Sequence, residues 1–210
     1  RKDGRQEAIV RAMPAPVNGT VPPQRLANDL LRPREYLKED EVNELMAVAR
    51  RRGRYGHRDA TMILIAYRHG LRVAELCALR WDHLDLKQGL LHVRRIKNGI
   101  DSVHPLRAPE LRALRKLQRE SEPSPYLFLT ERGGPVSATG FRKTLSRIGE
   151  ASSIDFPVHP HMLRHACGFK LANDGHDTRA IQHYLGHKNI QHTVRYTELT
   201  PTRFQGFWKD

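Results

Sequence analysis

Three well-separated segments of this 210-residue chain hold groups suited to phosphate chemistry. They are Gly70-Leu71-Arg72-Val73-Ala74-Glu75-Leu76, His159-Pro160-His161-Met162-Leu163-Arg164-His165, and Leu185-Gly186-His187 with Tyr196 nine residues further on. Taken singly, each group has an ordinary explanation. Arg72 alone reads as a surface helix residue, and Tyr196 alone as a half-buried aromatic with its hydroxyl hydrogen-bonded. Only folding can bring the three segments together, which makes the set testable.

Their setting is strongly basic. Thirty-six Lys and Arg against 23 Asp and Glu give a formal charge of +13, which points to a polyanionic partner, nucleic acid foremost. Arg dominates the basic set, and its planar fork grips a phosphate with two hydrogen bonds where Lys offers a point charge. Cys77 and Cys167 both sit in apolar helical patterns, which excludes a disulfide scaffold or a four-cysteine zinc site and fits a reducing cytoplasm. No run of 18 apolar residues exists, and Arg1 to Pro16 lacks the apolar core of a signal peptide, so a soluble protein is expected. His159, His161, His165 and Cys167, or His183 with His187, could suggest zinc. No carboxylate accompanies them as in an H-E-x-x-H pattern, so neither metal nor cofactor is expected.

The elements that must position these groups follow from periodicity. Residues 1–35 contain Pro14, Pro16, Pro22, Pro23 and Pro33 with little apolar pattern, and read as a basic arm or linker. Seven basic and four acidic residues there leave ten of the thirteen net charges in the body, residues 36–210. In the body, Leu37, Val42, Leu45, Met46 and Ala49 recur at helical spacing and Glu39, Asp40 and Glu41 load the first turn, predicting a helix that ends near Gly53. Arg58 to Tyr67 predicts a more buried helix stopped by Gly70, and Leu71 to Leu79 a further one. Between Asp82 and Leu106 the period falls to two. Leu91, Val93 and Arg95 alternate with His92 and Arg94 ahead of the hairpin signal Asn98-Gly99, predicting a small antiparallel sheet. Helical patterns return over Glu110 to Arg119, Tyr126 to Thr130, Ser137 to Ala151, His161 to Asn173, Thr178 to Leu185 and Ile190 to Tyr196. The expected fold is mainly α with a small antiparallel β-sheet (α+β), without internal repeats.

From about Tyr36 to Trp208 the chain resembles the tyrosine recombinases, also called the phage integrase family. The resemblance rests on a G-L-R-x-x-E-L helix start, an H-x-L-R-H segment, an L-G-H segment and a Tyr nine residues after that His, all present and in order. The wording around Ala66-Tyr67-Arg68-His69-Gly70, His159 to Cys167 and His192-Thr193-Val194-Arg195-Tyr196-Thr197 is most similar to the fimbrial phase-variation recombinases.

The resemblance implies a catalytic domain over residues 36–210 and a role for each motif position. Tyr196 would be the nucleophile that attacks a DNA phosphodiester, giving a 3'-phosphotyrosyl link and a free 5'-hydroxyl. His161 would act as acid/base for its proton, and Arg72 and Arg164 would clamp the non-bridging oxygens. His187 would supply a third oxygen contact and Lys97, beside Asn98-Gly99, the proton for the leaving oxygen; Arg94 and Arg95 are rivals for that place. Glu75 would orient His161 or its neighbours, and His165 would give supporting contacts, with Cys167 in the core. Neither metal nor ATP is needed, because one phosphodiester is exchanged for another.

The implied activity is site-specific recombination by inversion, integration or excision. The implied partner is double-stranded DNA with specific recombination sites, bound by a protein that is monomeric in solution and tetrameric on synapsed DNA, in bacterial cytoplasm at the nucleoid and without a membrane. The arm is too short and proline-rich for the N-terminal helical domain of most members, as expected of the short fimbrial type and equally of an excised catalytic fragment. Phe204, Phe207 and Trp208 form an apolar tail suited either to a neighbouring subunit or to local packing. The competing readings are a DNA-binding protein of this fold without activity, DNA relaxation of the type IB topoisomerase kind, and a zinc hydrolase.

Overall fold

The structure is a computed structural model and describes residues 34–96 and 99–198. Most of the arm, Lys97 and the apolar tail with Phe204, Phe207 and Trp208 lie outside the described residues. Helix α1 (Glu39–Arg51) opens with Glu39, Asp40 and Glu41 in its first turn, and the Lys38 N–H donates to Glu41 Oε2 at 2.7 Å. That carboxylate satisfies a backbone donor and complements the positive end of the helix. Its apolar stripe, Val42, Leu45, Met46 and Ala49, is buried against α2 (Gly56–His69). Helix α2 buries Met62, Ile63, Leu64 and Ile65 in succession because it is covered on several sides, by α1, by α4 (Ala108–Glu120) and by α6 (Pro160–Asn173). Burial of each such side chain contributes about 1.5–3 kcal/mol.

Helix α2 stops at Gly70, whose φ of 57° is the left-handed conformation glycine adopts without penalty. A Cβ there would also collide with the Leu185 side chain, so the turn is pressed against the segment that carries His187. The chain restarts at once in α3 (Val73–Cys77), followed by a 3-10 turn (Trp81–His83). Strands β1 (Leu84–Asp85), β2 (Leu90–Val93) and β3 (Ser102–Pro105) form an antiparallel sheet in that order, with Leu84 opposite Leu91 and Val93 opposite Ser102. The β2–β3 connection therefore spans residues 94–101, wider than a tight turn at Asn98-Gly99.

Helices α5 (Ala138–Glu150), α6, α7 (Thr178–Leu185) and α8 (Gln191–Glu198) complete the described chain. Ser137 and Asp177 cap α5 and α7 by accepting N–H bonds from their first turns, and Gly186, at φ 67°, ends α7. The expected helix over Tyr126 to Thr130 does not form. Pro123, Pro125 and Pro135 bracket it, and its backbone bonds go elsewhere: Leu127 N–H to Leu79 O at 3.0 Å and Val136 N–H to Phe128 O at 2.8 Å. Among the described residues no helix is long and apolar enough to cross a membrane.

Candidate active site

The three segments singled out by sequence meet where α2 and α7 end. Two helix C-termini, each with unsatisfied carbonyls and a partial negative charge, converge there and are held by arginines. Arg164, on the buried face of α6, donates through Nη1 to Gly70 O and through Nη2 to Leu185 O at 2.8 Å. It is 2 % exposed, and burial together with the charges of Arg72 and Arg95 pushes its pKa down to about 10. The guanidinium stays charged at neutral pH, inside the protein and short of counter-charge.

Arg72 is the N-cap of α3. Its N–H donates to Glu75 Oε2 at 2.9 Å and its Nη1 to Glu75 Oε1 at 2.8 Å, while about a third of the side chain remains accessible. His187 follows Gly186 directly; its Nδ1 lies 2.8 Å from Thr193 Oγ1, and its main chain exchanges 3.0 Å bonds with Gln182. Burial and the nearby Arg164 and Arg72 charges bring the His187 pKa down to about 3, so the ring is neutral at pH 7. In the tautomer that accepts the Thr193 hydroxyl at Nδ1, Nε2–H is left to donate. Arg72, His187, Lys188 and His192 line one concave surface. A separate cavity of about 410 Å³, lined in part by Arg68, Glu110, Cys167 and Tyr184, includes none of the expected site residues.

Tyr196 is carried by α8 and is 1 % exposed. Its ring meets Phe169 edge-on at 5.0 Å between centroids and lies 6.3 Å from the His187 ring, nearly parallel. Its hydroxyl is 2.9 Å from His165 Nδ1. Burial raises the Tyr196 pKa, against the pull of Arg164 and Arg195, and burial with the charges of His161, Arg195 and Arg164 brings His165 down to about 3. His161 stands one ring further out, edge-on to His165 at 4.4 Å. It is exposed at the start of α6, yet the surrounding protein still desolvates the ring, and with the charges of Arg164, Arg195 and Arg72 this lowers its pKa.

The described structure thus gathers Arg72, His161, Arg164, His165, His187 and Tyr196; Lys97 lies outside it. Glu75 requires a correction. Its carboxylate does not orient His161 but is bonded to Arg72, to Arg95 Nη1 at 2.8 Å and to Ile96 N–H at 3.3 Å. The reason is local: at the third position of α3 it reaches back to its own N-cap and across to the β2–β3 connection. Arg95, considered from the sequence only as a rival of Lys97, is instead a buried partner of Glu75. The available signal was a charged residue in phase with Leu91 and Val93 on the buried side of the strand. Among the described residues no group of three or more His, Cys, Asp or Glu side chains is arranged to hold a metal ion.

Comparison with known proteins agrees with this geometry. The model of the phage integrase family matches residues 35–203. The chain is 43 % identical over 182 residues to the type 1 fimbriae regulatory protein FimE of Escherichia coli K12, covering 84 % of this chain and 91 % of FimE. Among solved structures it is similar to XerA recombinase, with TM-score 0.70 and 27 % identity over 80 % of this chain and 62 % of that one. The XerH site-specific recombinase bound to palindromic difH substrate, at 20 % identity and TM-score 0.70 over 81 % of this chain and 51 % of that one, shares the fold. The chain belongs to the phage integrase family and is a tyrosine-type site-specific recombinase.

Proposed function

We propose that this recombinase cleaves and rejoins double-stranded DNA at specific sites, with Tyr196 as nucleophile and a 3'-phosphotyrosyl intermediate. The observation that carries the assignment is the grouping of Arg72, Arg164 and His187 about the segment that ends in Tyr196. Arg72 and Arg164 hold the non-bridging oxygens, where a lost donor costs about 3 kcal/mol of transition-state stabilisation. Neutral His187 donates a further bond. His161 and His165 stand where the phenol proton must go, and Lys97 protonates the leaving 5'-oxygen.

A free phenol with pKa near 10 is about 4 kcal/mol short of full ionisation at neutral pH, and burial here raises that demand. At 1 % exposure the hydroxyl is out of reach of a duplex, so cleavage requires α8 to move outward over bound DNA. Basic charge on the body and the DNA-bound relative XerH support DNA as the partner. The protein acts as a monomer in solution and a tetramer on paired sites. The free, buried Cys77 and Cys167 suit a reducing bacterial cytoplasm, at the nucleoid. The outcome is inversion, integration or excision of the DNA between two sites. A nicked suicide duplex tests the reading. A covalent adduct formed with chelator present and lost in Tyr196→Phe is expected, and adduct formation by Tyr196→Phe overturns it.

A further inference from the structure

Arg95 belongs to none of the motifs above, yet its side chain is wholly buried beneath them. Its Nη1 donates to Glu75 Oε2 at 2.8 Å and, at 3.5 Å, to Gly70 O. Its Nη2 donates to Tyr184 O at 2.6 Å and to His69 O at 3.5 Å. One guanidinium therefore joins the end of α2, the end of α7 and the carboxylate that holds Arg72. It also shares the Gly70 carbonyl with Arg164. Two glycines make room: a Cβ on Gly186 would lie 2.7 Å from Arg95 Nε, and one on Gly99 2.6 Å from Arg95 Cβ.

As a mere brace, this arginine is a poor choice. Taking a guanidinium out of water is expensive, and a buried ion pair is often replaced by apolar side chains without loss of stability. Around Glu75 stand Arg72, Arg95 and Arg164, three positive charges to one negative. The carbonyls of the two helix ends offset part of this excess, and what remains favours an anion beside Arg72 and Arg164. Arg95 is not placed to touch that anion: its Nη groups face Glu75 and main-chain carbonyls, its Nε is buried without a partner beside Gly186, and none of its side chain is accessible. What it can do is hold Glu75 Oε2, leaving Oε1 to fix the Arg72 side chain at one angle.

We propose that Arg95 is a positioning residue for the scissile phosphate: through Glu75 it sets the direction of Arg72, and through the shared Gly70 carbonyl it sets Arg72 in register with Arg164. This rests on the reading of Arg72 and Arg164 as the phosphate clamp.

The test compares the full chain with Arg95→Lys on two nicked suicide duplexes, one with an ordinary scissile phosphodiester and one with a methylphosphonate there. The methyl group removes one non-bridging oxygen and its charge, so a misplaced guanidinium matters far less. Arg95→Lys keeps the charge but has one donor group where four acceptors need a fork, and misplacement by about an ångström lowers cleavage about a hundredfold. On methylphosphonate that deficit is expected to shrink at least about tenfold, in step with that of Arg72→Ala. Wild-type cleavage by Arg95→Lys, or the same deficit on both duplexes, overturns the proposal. If Arg95→Lys does not fold, Glu75→Gln breaks the same link and must show the same substrate dependence; a uniform loss overturns the proposal equally. Should Arg72→Ala itself gain nothing on methylphosphonate, the clamp reading fails. Should Arg72→Ala gain and Arg95→Lys not, only the role of Arg95 fails.

Discussion

The Tyr196 hydroxyl and His165 Nδ1 lie 2.9 Å apart in a region where both groups are forced into their neutral forms. Desolvation acts on the two in opposite directions, lifting the pKa of the phenol and bringing the imidazole down to about 3. The proton therefore stays on the oxygen, and in the Nε2–H tautomer the phenol donates to Nδ1. The same bond that would pass a proton in a more polar setting stores the nucleophile in an unreactive state.

This pairing has a measurable signature. Tyr196→Phe takes the phenol away from Nδ1, and His165→Ala takes Nδ1 away from the phenol, each costing about 1–3 kcal/mol. In the double variant both polar groups are gone, so the penalties must not add. Urea denaturation of the four proteins is expected to give a coupling of about 1 kcal/mol or more. Strict additivity means that the contact does not persist in solution.

Gly168 controls how Tyr196 sits. A Cβ at this position of α6 would lie 2.7 Å from Tyr196 Cε2 and Cζ, against atoms of a packed ring. Two effects of Gly168→Ala oppose each other. Alanine favours a helix over glycine by about 1 kcal/mol, whereas overpacking of a tight core costs about 1–3 kcal/mol. The clash is expected to win, with lower thermal stability and a phenol that nitrates faster under tetranitromethane. A stabilised variant with an unchanged rate of nitration shows that α8 gives way at no cost.

Much of this arrangement was readable in advance because it is local. Gly70 ends its helix with positive φ, and the acidic first turn of α1 and the period of Leu91 and Val93 are near-neighbour patterns. What could not be read depends on segments that meet only after folding. The partner of Glu75 is decided by the β2–β3 connection crossing the end of α2, and the partner of the Tyr196 hydroxyl by the angle at which α8 packs on α6. Arg95 was half-legible. The strand ends at Val93, but the alternation of burial continues to residue 95, and a charged side chain in that phase must find partners inside.

Acid sensitivity follows from the buried histidines. His104, His165 and His187 each have a folded pKa of about 3, with burial the main cause, and each is under a tenth exposed. Unfolded histidine titrates near 6.5, so below that pH the unfolded chain binds protons that the folded chain refuses. Their contribution is complete above about pH 6.5 and is lost as the pH falls toward 3. Between pH 7.5 and 5.5 each site costs on the order of 1 kcal/mol, and the three together a few kcal/mol. Urea midpoints at the two pH values measure this. Equal stability at both means that these rings are charged in the folded protein.

Thr193 tests whether the orientation of His187 matters as much as its presence. The hydroxyl is wholly buried on α8 and lies 2.8 Å from His187 Nδ1, so it holds the ring plane and, when it donates to Nδ1, keeps the proton on Nε2. Thr193→Val keeps the shape and removes the bond. The backbone exchange with Gln182 still places His187, so folding should suffer by only about 1 kcal/mol. Catalysis should suffer more, because a ring free to turn or to carry its proton on Nδ1 no longer offers Nε2–H to the phosphate. Loss of one well-placed donor costs about a hundredfold to a thousandfold in rate, and part of that loss is expected here with DNA affinity unchanged. Single-turnover cleavage of the nicked duplex, beside a binding isotherm on intact DNA, separates the two. A variant that cleaves as fast as the parent shows that Gln182 and the surrounding packing orient the ring without help from the hydroxyl.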